Sequence, residues 1–294
     1  NGAAAGIRTP RGGIVIRAND FNPERIILND LITGGAQLPQ ASVSDAFPGA
    51  TTGIIDYSFN NPKLEVISLP AVVSGGLTRE VTAAPVFTQL AVATFNVENL
   101  APSDPPSKFA ALATAIVQNL ASPDVLAIEE IQDDNGTTNN GVVSAATTWS
   151  TLIAAIQAAG GPAYDYRQID PVNGQDGGAP GGNIRQGFLF RTDRGLAFVD
   201  RPGASSLTAN AVVGAGASTQ LQYSPGRIDP TNTAFGSSRK PLAGEFTFRG
   251  RTVFVIANHF NSKGGDDALF GVNQPPVLTT EVQRLQQAQI EAAF

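Results

Sequence analysis

Three apolar runs in this chain each deliver a polar group at or near their C-terminal end, and that pattern restricts the fold more than any other feature. Ala93-Thr-Phe-Asn96-Val-Glu-Asn-Leu100 delivers an asparagine. Val125-Leu-Ala-Ile-Glu129-Glu130-Ile-Gln-Asp-Asp134 delivers a carboxylate, and Arg251-Thr-Val-Phe-Val-Ile-Ala-Asn-His259 delivers the chain's single histidine. Short apolar runs rich in Val and Ile read as buried strands. Polar groups released where such strands end describe the catalytic edge of an α/β sheet.

The surrounding pattern alternates. Pro105 after Ser103-Asp104 starts a helix, carried by Phe109, Leu112, Ala113, Ile116, Val117 and Leu120 at helical spacing and stopped by Pro123. Trp149, Leu152, Ile153 and Ile156 mark a second helix, closed by Gly160-Gly161. Strands are predicted at Tyr164–Ile169, Ile184–Phe190, Leu196–Val199, Gly244–Phe248 and Val253–Ala257, with a final helix over Thr279–Ala293. Strands alternating with helices and then following one another predict a mixed α/β sandwich rather than a doubly wound parallel sheet. Residues 1–68 read as β-rich, with short runs at Gly13–Arg17, Glu24–Leu28, Gly53–Tyr57 and Lys63–Ile67. A linker is expected over 69–88, so the sandwich occupies 89–294.

Composition excludes several chemistries. No Cys means no disulfide, no thiolate metal site and no cysteine nucleophile. There is neither a Gly-x-x-x-x-Gly-Lys-Ser/Thr phosphate loop nor a Gly-x-Ser-x-Gly elbow. A net charge of −6 argues against a broad basic face for nucleic acid, though not against a few local cations holding one scissile phosphate. No stretch is long and apolar enough to span a bilayer. Few Lys among many Asn, Thr, Gly, Ala and Gln lead to the expectation of a secreted or surface protein of a bacterium. The absence of any Met leads to the expectation of a stretch of a longer polypeptide. The glycine-dense segment Asn173–Asn183 reads as a mobile or ligand-ordered loop. Alternation along a strand leads to the expectation that only one of Glu129 and Glu130 faces a given cleft.

Four segments in order, Ala93–Asn99, Leu126–Asp133, Gly181–Arg191 and Ala257–Asp266, resemble the endonuclease/exonuclease/phosphatase superfamily, and most of all its large secreted bacterial nucleases. Asp20–Ile27 and Gly53–Phe59 resemble the β-rich segment that precedes the nuclease domain in those proteins. The resemblance implies a four-layer α/β sandwich, incomplete at its C-terminus, that hydrolyses phosphodiesters of DNA or RNA with Mg²⁺ or Mn²⁺. It implies Glu130 and Asn96 as metal-site residues and His259 as the group on the scissile phosphate. Arg185, Asn183, Asn258, Asn261 and Lys263 are candidate phosphate contacts, whereas Asp170 and Asp176 read as loop structure. The superfamily's later Gly-Asp-Phe-Asn and Ser-Asp-His motifs are missing. The corresponding expectation is that the rest of the same polypeptide, or a partner chain, completes the sandwich. A non-catalytic surface or scaffold module, and a phosphatase acting on lipid or sugar phosphates, are the alternatives.

Overall fold

The computed structural model describes residues 9–10, 15, 26–35, 38–59, 61–269 and 271–294. They fall into two units, one holding residues up to Arg79 with Lys263–Thr280, the other Glu80–Ser262 with Glu281–Phe294. The strand expected at Gly13–Arg17 lies outside the described residues except for Val15, and so does most of the Asp20–Ile27 motif. In the first unit β1 (Ile27–Asn29), β2 (Thr52–Ser58) and β3 (Asn61–Ser68) form a sheet in the order β1-β3-β2. Its buried Glu65 carboxylate accepts from the Asn29 side chain and the Leu31 main chain, so the charge is fully hydrogen-bonded.

The second unit runs β4 (Val92–Leu100), α1 (Pro106–Thr114), β5 (Val125–Ile131), α2 (Ala146–Ala158), β6 (Tyr164–Gln168), β7 (Arg185–Arg191) and β8 (Leu196–Phe198). It continues with β9 (Val212–Val213), β10 (Gln220–Leu221), β11 (Gly226–Arg227), β12 (Leu242–Phe248), β13 (Arg251–Ala257) and α3 (Glu281–Ala293). One sheet has the order β4-β5-β7-β6; in the other, β12 pairs with β13 along one edge and with β11 and β8 along the other. The β4–β5 pair is parallel, which the intervening helix α1 makes possible, and the remaining pairs are antiparallel.

Strand alternation builds the layers. Leu126, Ile128 and Leu189 pack against α1 and α2 through Phe109, Ile116, Trp149 and Leu152. Their neighbours Val125, Ala127, Phe188 and Phe190 face the other way, onto Leu242, Phe246 and Phe248 of the second sheet. Phe198 and Phe246 meet edge-on at 4.9 Å there. Each such buried ring contributes about 1.5–3 kcal/mol relative to exposure. Ala243, opposite in facing to Leu242, packs with Ile290 and Phe294 at the end of α3. The result is helix, sheet, sheet, helix: a four-layer α/β sandwich.

The helix boundaries differ in detail from the sequence reading. Asp104 does not cap α1; its carboxylate accepts from Ala101 N–H and pairs with Lys108 at 3.1 Å, and the helix opens at Pro106. After Thr114 it widens into a π turn, Ala115–Asn119, before Pro123. α2 closes as expected, with Gly160 at φ 84° and Gly161 N–H bonded to Ile156 O. The segment Asn173–Asn183 is not loose. Asp176, 3% exposed, lies 2.8 Å from Arg227 and 3.1 Å from Lys240, and this buried triad fastens the loop.

Candidate active site

β4 and β5 run in register to Asn96 opposite Glu129, and there both strands break their pleat. Glu98, Asn99 and Glu130 have left-handed backbones, with φ of 57°, 54° and 67°. L-residues with side chains adopt that region only at a cost of about 1–2 kcal/mol each. The break redirects side chains. Glu130 Oε1 accepts from Asn96 Nδ2 at 2.8 Å, Glu130 Oε2 accepts from Asn99 N–H at 3.0 Å, and Asn96 Oδ1 accepts from Glu98 N–H at 2.8 Å. Glu129 accepts from Thr94 Oγ1 at 2.6 Å. Thr94 and Asn96, two residues apart on one face of β4, bond Glu129 and Glu130 respectively, so the left-handed turn at Glu130 brings both glutamates to that face and corrects the expectation that the pleat would separate them.

His259 follows β13, which is packed on the first sheet through Val255 and Ala257. Its Nε2 lies 3.6 Å from Glu130 Oε1, too far for a hydrogen bond but close enough to pair if the ring is protonated. Burial lowers the imidazole pKa, Arg239 lowers it further, and Glu129 and Glu130 oppose the shift. The ring is therefore neutral at pH 7 and available to accept a proton. Its Nδ1 is buried without a partner.

Arg239, which the sequence reading did not single out, is 5% exposed beside these groups. One guanidinium nitrogen donates to Phe260 O, and Nε is buried without a partner. Burial lowers its pKa, opposed by Glu130, Asp176 and Glu129. The available signal was Ser237-Ser238-Arg239-Lys240-Pro241, two cations entering a buried strand of an otherwise acidic chain.

The other candidates are placed differently. Arg185 is 1% exposed, bonded to Asp170 at 2.6 Å and to Asn183 O, and burial brings its pKa down to about 10. Asn183 is buried against Asp133, Val142 O and Asn173. Neither stands free to hold a phosphate; both brace the ends of the glycine-rich loop. The reason is the pleat of β7, which turns Gln186 between the sheets, onto Lys240 O and Ala257 O, and Arg185 the opposite way. Asn258 lies near Glu291 of α3, whose pKa it lowers, and its Oδ1 is buried without a partner; the Asn261 N–H donates to Gln287. Lys263 is exposed and belongs to the first unit.

Among the described residues no three His, Asp or Glu side chains are spaced to cage a metal. Glu130 and Glu129 nonetheless offer hard oxygen donors on one side of the sheet end, and among the described residues no Lys or Arg lies within ion-pairing distance of either. Such a set fits Mg²⁺, which is commonly held by one or two carboxylates with waters and substrate phosphate filling the remaining positions. Asn96 uses its amide N–H on Glu130 and its oxygen on Glu98 N–H, an arrangement that orients the carboxylate.

A family model described as a domain of unknown function (DUF8508) matches residues 1–74. No curated protein matches the chain. Among solved structures, the chain is similar to an endonuclease/exonuclease/phosphatase family protein from Leptotrichia buccalis C-1013-b, with 13% identity and a TM-score of 0.36, over 67% of this chain and 61% of that one. It is also similar to humanized D. rerio TDP2 carrying 14 mutations, with 14% identity and a TM-score of 0.35, over 69% of this chain and 58% of that one. The chain thus spans about three fifths of the length of both structures.

Proposed function

We propose that the second unit is the core of a metal-dependent phosphodiesterase, acting on nucleic acid outside a bacterial cell as part of a longer polypeptide or with a partner chain. The observation that carries this reading is the meeting of three strand ends. Asn96 holds Glu130 at 2.8 Å, and His259 stands 3.6 Å from the same carboxylate oxygen. A bound Mg²⁺ or Mn²⁺ would polarise the phosphate and stabilise charge on the leaving oxygen. Within the chain, Asn96 and the Asn99 N–H fix the Glu130 carboxylate. Arg239 supplies a buried positive charge toward the phosphate, and neutral His259 can take up a proton as charge develops.

The test is DNA cleavage by the protein expressed from its full gene. Cleavage should stop with EDTA and return with Mg²⁺ or Mn²⁺. Glu130→Ala and His259→Ala should each lower kcat by about 100-fold or more. Cleavage at the parental rate by either variant, folded as judged by circular dichroism, would remove the basis of the assignment.

A further inference from the structure

Gln287 is a polar side chain with 0% exposure in the middle of α3. Its Oε1 accepts from Asn261 N–H at 2.8 Å, and its Nε2 donates to Ala234 O at 2.8 Å and to Ser238 Oγ at 3.1 Å. Asn261 lies two residues after His259, and Ser238 immediately precedes Arg239. One planar amide therefore joins the two loops that carry the site's imidazole and its guanidinium. The loops touch directly through Arg239 and Phe260 O. That contact engages a long side chain, so it limits their separation less than a buried amide with fixed donor and acceptor directions. Val282 and Leu285 are exposed on the far face of the helix, while this glutamine is its fully buried residue. An apolar residue at 287 would fill the same space, and nothing in packing alone asks for an amide there.

We propose that Gln287 is a positioning residue for the phosphodiesterase reaction, setting the distance between His259 and Arg239 by bridging the loops that bear them. This rests on the functional reading above. Arg284, one turn earlier on α3, donates to Ser262 O at 3.3 Å, so the same helix holds the histidine loop at a second point.

This chain has one histidine, so its imidazole C–H cross-peak can be followed by NMR without ambiguity. In Gln287→Leu that cross-peak should shift and broaden toward the position of a free imidazole while the amide spectrum keeps its dispersion. In the protein expressed from its full gene, kcat should fall about 10-fold with KM nearly unchanged, since a misplacement of about 1 Å can cost up to 100-fold. Gln286→Ala, on the exposed face of the same helix, should leave both readouts in place. If Gln287→Leu does not fold, Ser238→Ala removes one arm of the bridge and should move the cross-peak in the same direction by a smaller amount. A histidine signal unmoved in a folded variant overturns the positioning role. If the signal moves but the unmodified protein cleaves no phosphodiester, the bridge stands as geometry, while the phosphodiesterase reading and its kinetic consequence fail.

Discussion

Glu291 shows what burial does to a single carboxyl group. Its pKa is pushed from 4.5 up to about 7, chiefly by burial and against the opposing effect of Asn258. Between those values the folded chain holds a proton that the unfolded chain has released. Folding stability therefore declines as pH rises from about 4.5 to 7 and levels off above that. Glu291→Gln should remove this slope, worth about 1–2 kcal/mol once solvent screening is allowed for. Urea denaturation at pH 5 and pH 8 would measure it, and an unchanged slope would show that the carboxyl is not buried as described. At the same scale, the left-handed backbone of Glu130 explains a limit of sequence reasoning. Alternation places Glu129 and Glu130 on opposite faces, and a backbone angle invisible in the sequence lets Thr94 and Asn96 of β4 bond them both. Arg185 fails for the converse reason: β7 keeps its pleat, and one residue of phase decides which side chain faces the site.

Among the elements, α2 and β7 meet closely at Gly187. A Cβ on Gly187 would lie 2.7 Å from Trp149 Cζ2 and 2.9 Å from Arg167 O. Trp149 itself stacks on Tyr166 at 5.3 Å and donates its indole N–H to Gln168, so it has little room to retreat. Gly187→Ala should destabilise the protein by about 1–3 kcal/mol, seen as a lower Tm. A neutral result would mean that the helix can ride away from the sheet. Elements such as these were legible because their signals are periodic: Phe109 to Leu120 recurs at helical spacing, and Val125 to Ile128 is apolar throughout. The two-residue strands β9, β10 and β11 are too short to show any period, so their sequences carry no strand signal. Asn173–Asn183 misled for a related reason. Its glycines advertise freedom, while one aspartate between them finds two cations more than 50 residues away.

For the molecule as a whole, charge sets a constraint that no single contact reveals. The chain carries −6 at pH 7, and Arg239 is a buried cation that feels the charges of Glu130 and Glu129. A nucleic-acid substrate would then be held by one or two cations and a metal, not by a basic surface. Its KM should rise only about tenfold between roughly 50 and 200 mM salt, where six to ten phosphate contacts would give about 10³- to 10⁵-fold. A steep salt dependence of cleavage would overturn this expectation and show that many phosphates are contacted.

The bridge made by Gln287 also has a consequence in time. A ribosome releases Asn96 and Glu130 long before His259, and His259 long before α3. Roughly 30 further residues must emerge after His259 before Glu291 can dock, about 2–6 seconds at 5–20 residues per second. During that interval every chemical group of the described site exists, but the loops carrying two of them are not yet tied by the amide. A nascent chain would thus have its two loops joined only through Arg239 and Phe260 O until its last described helix folds down.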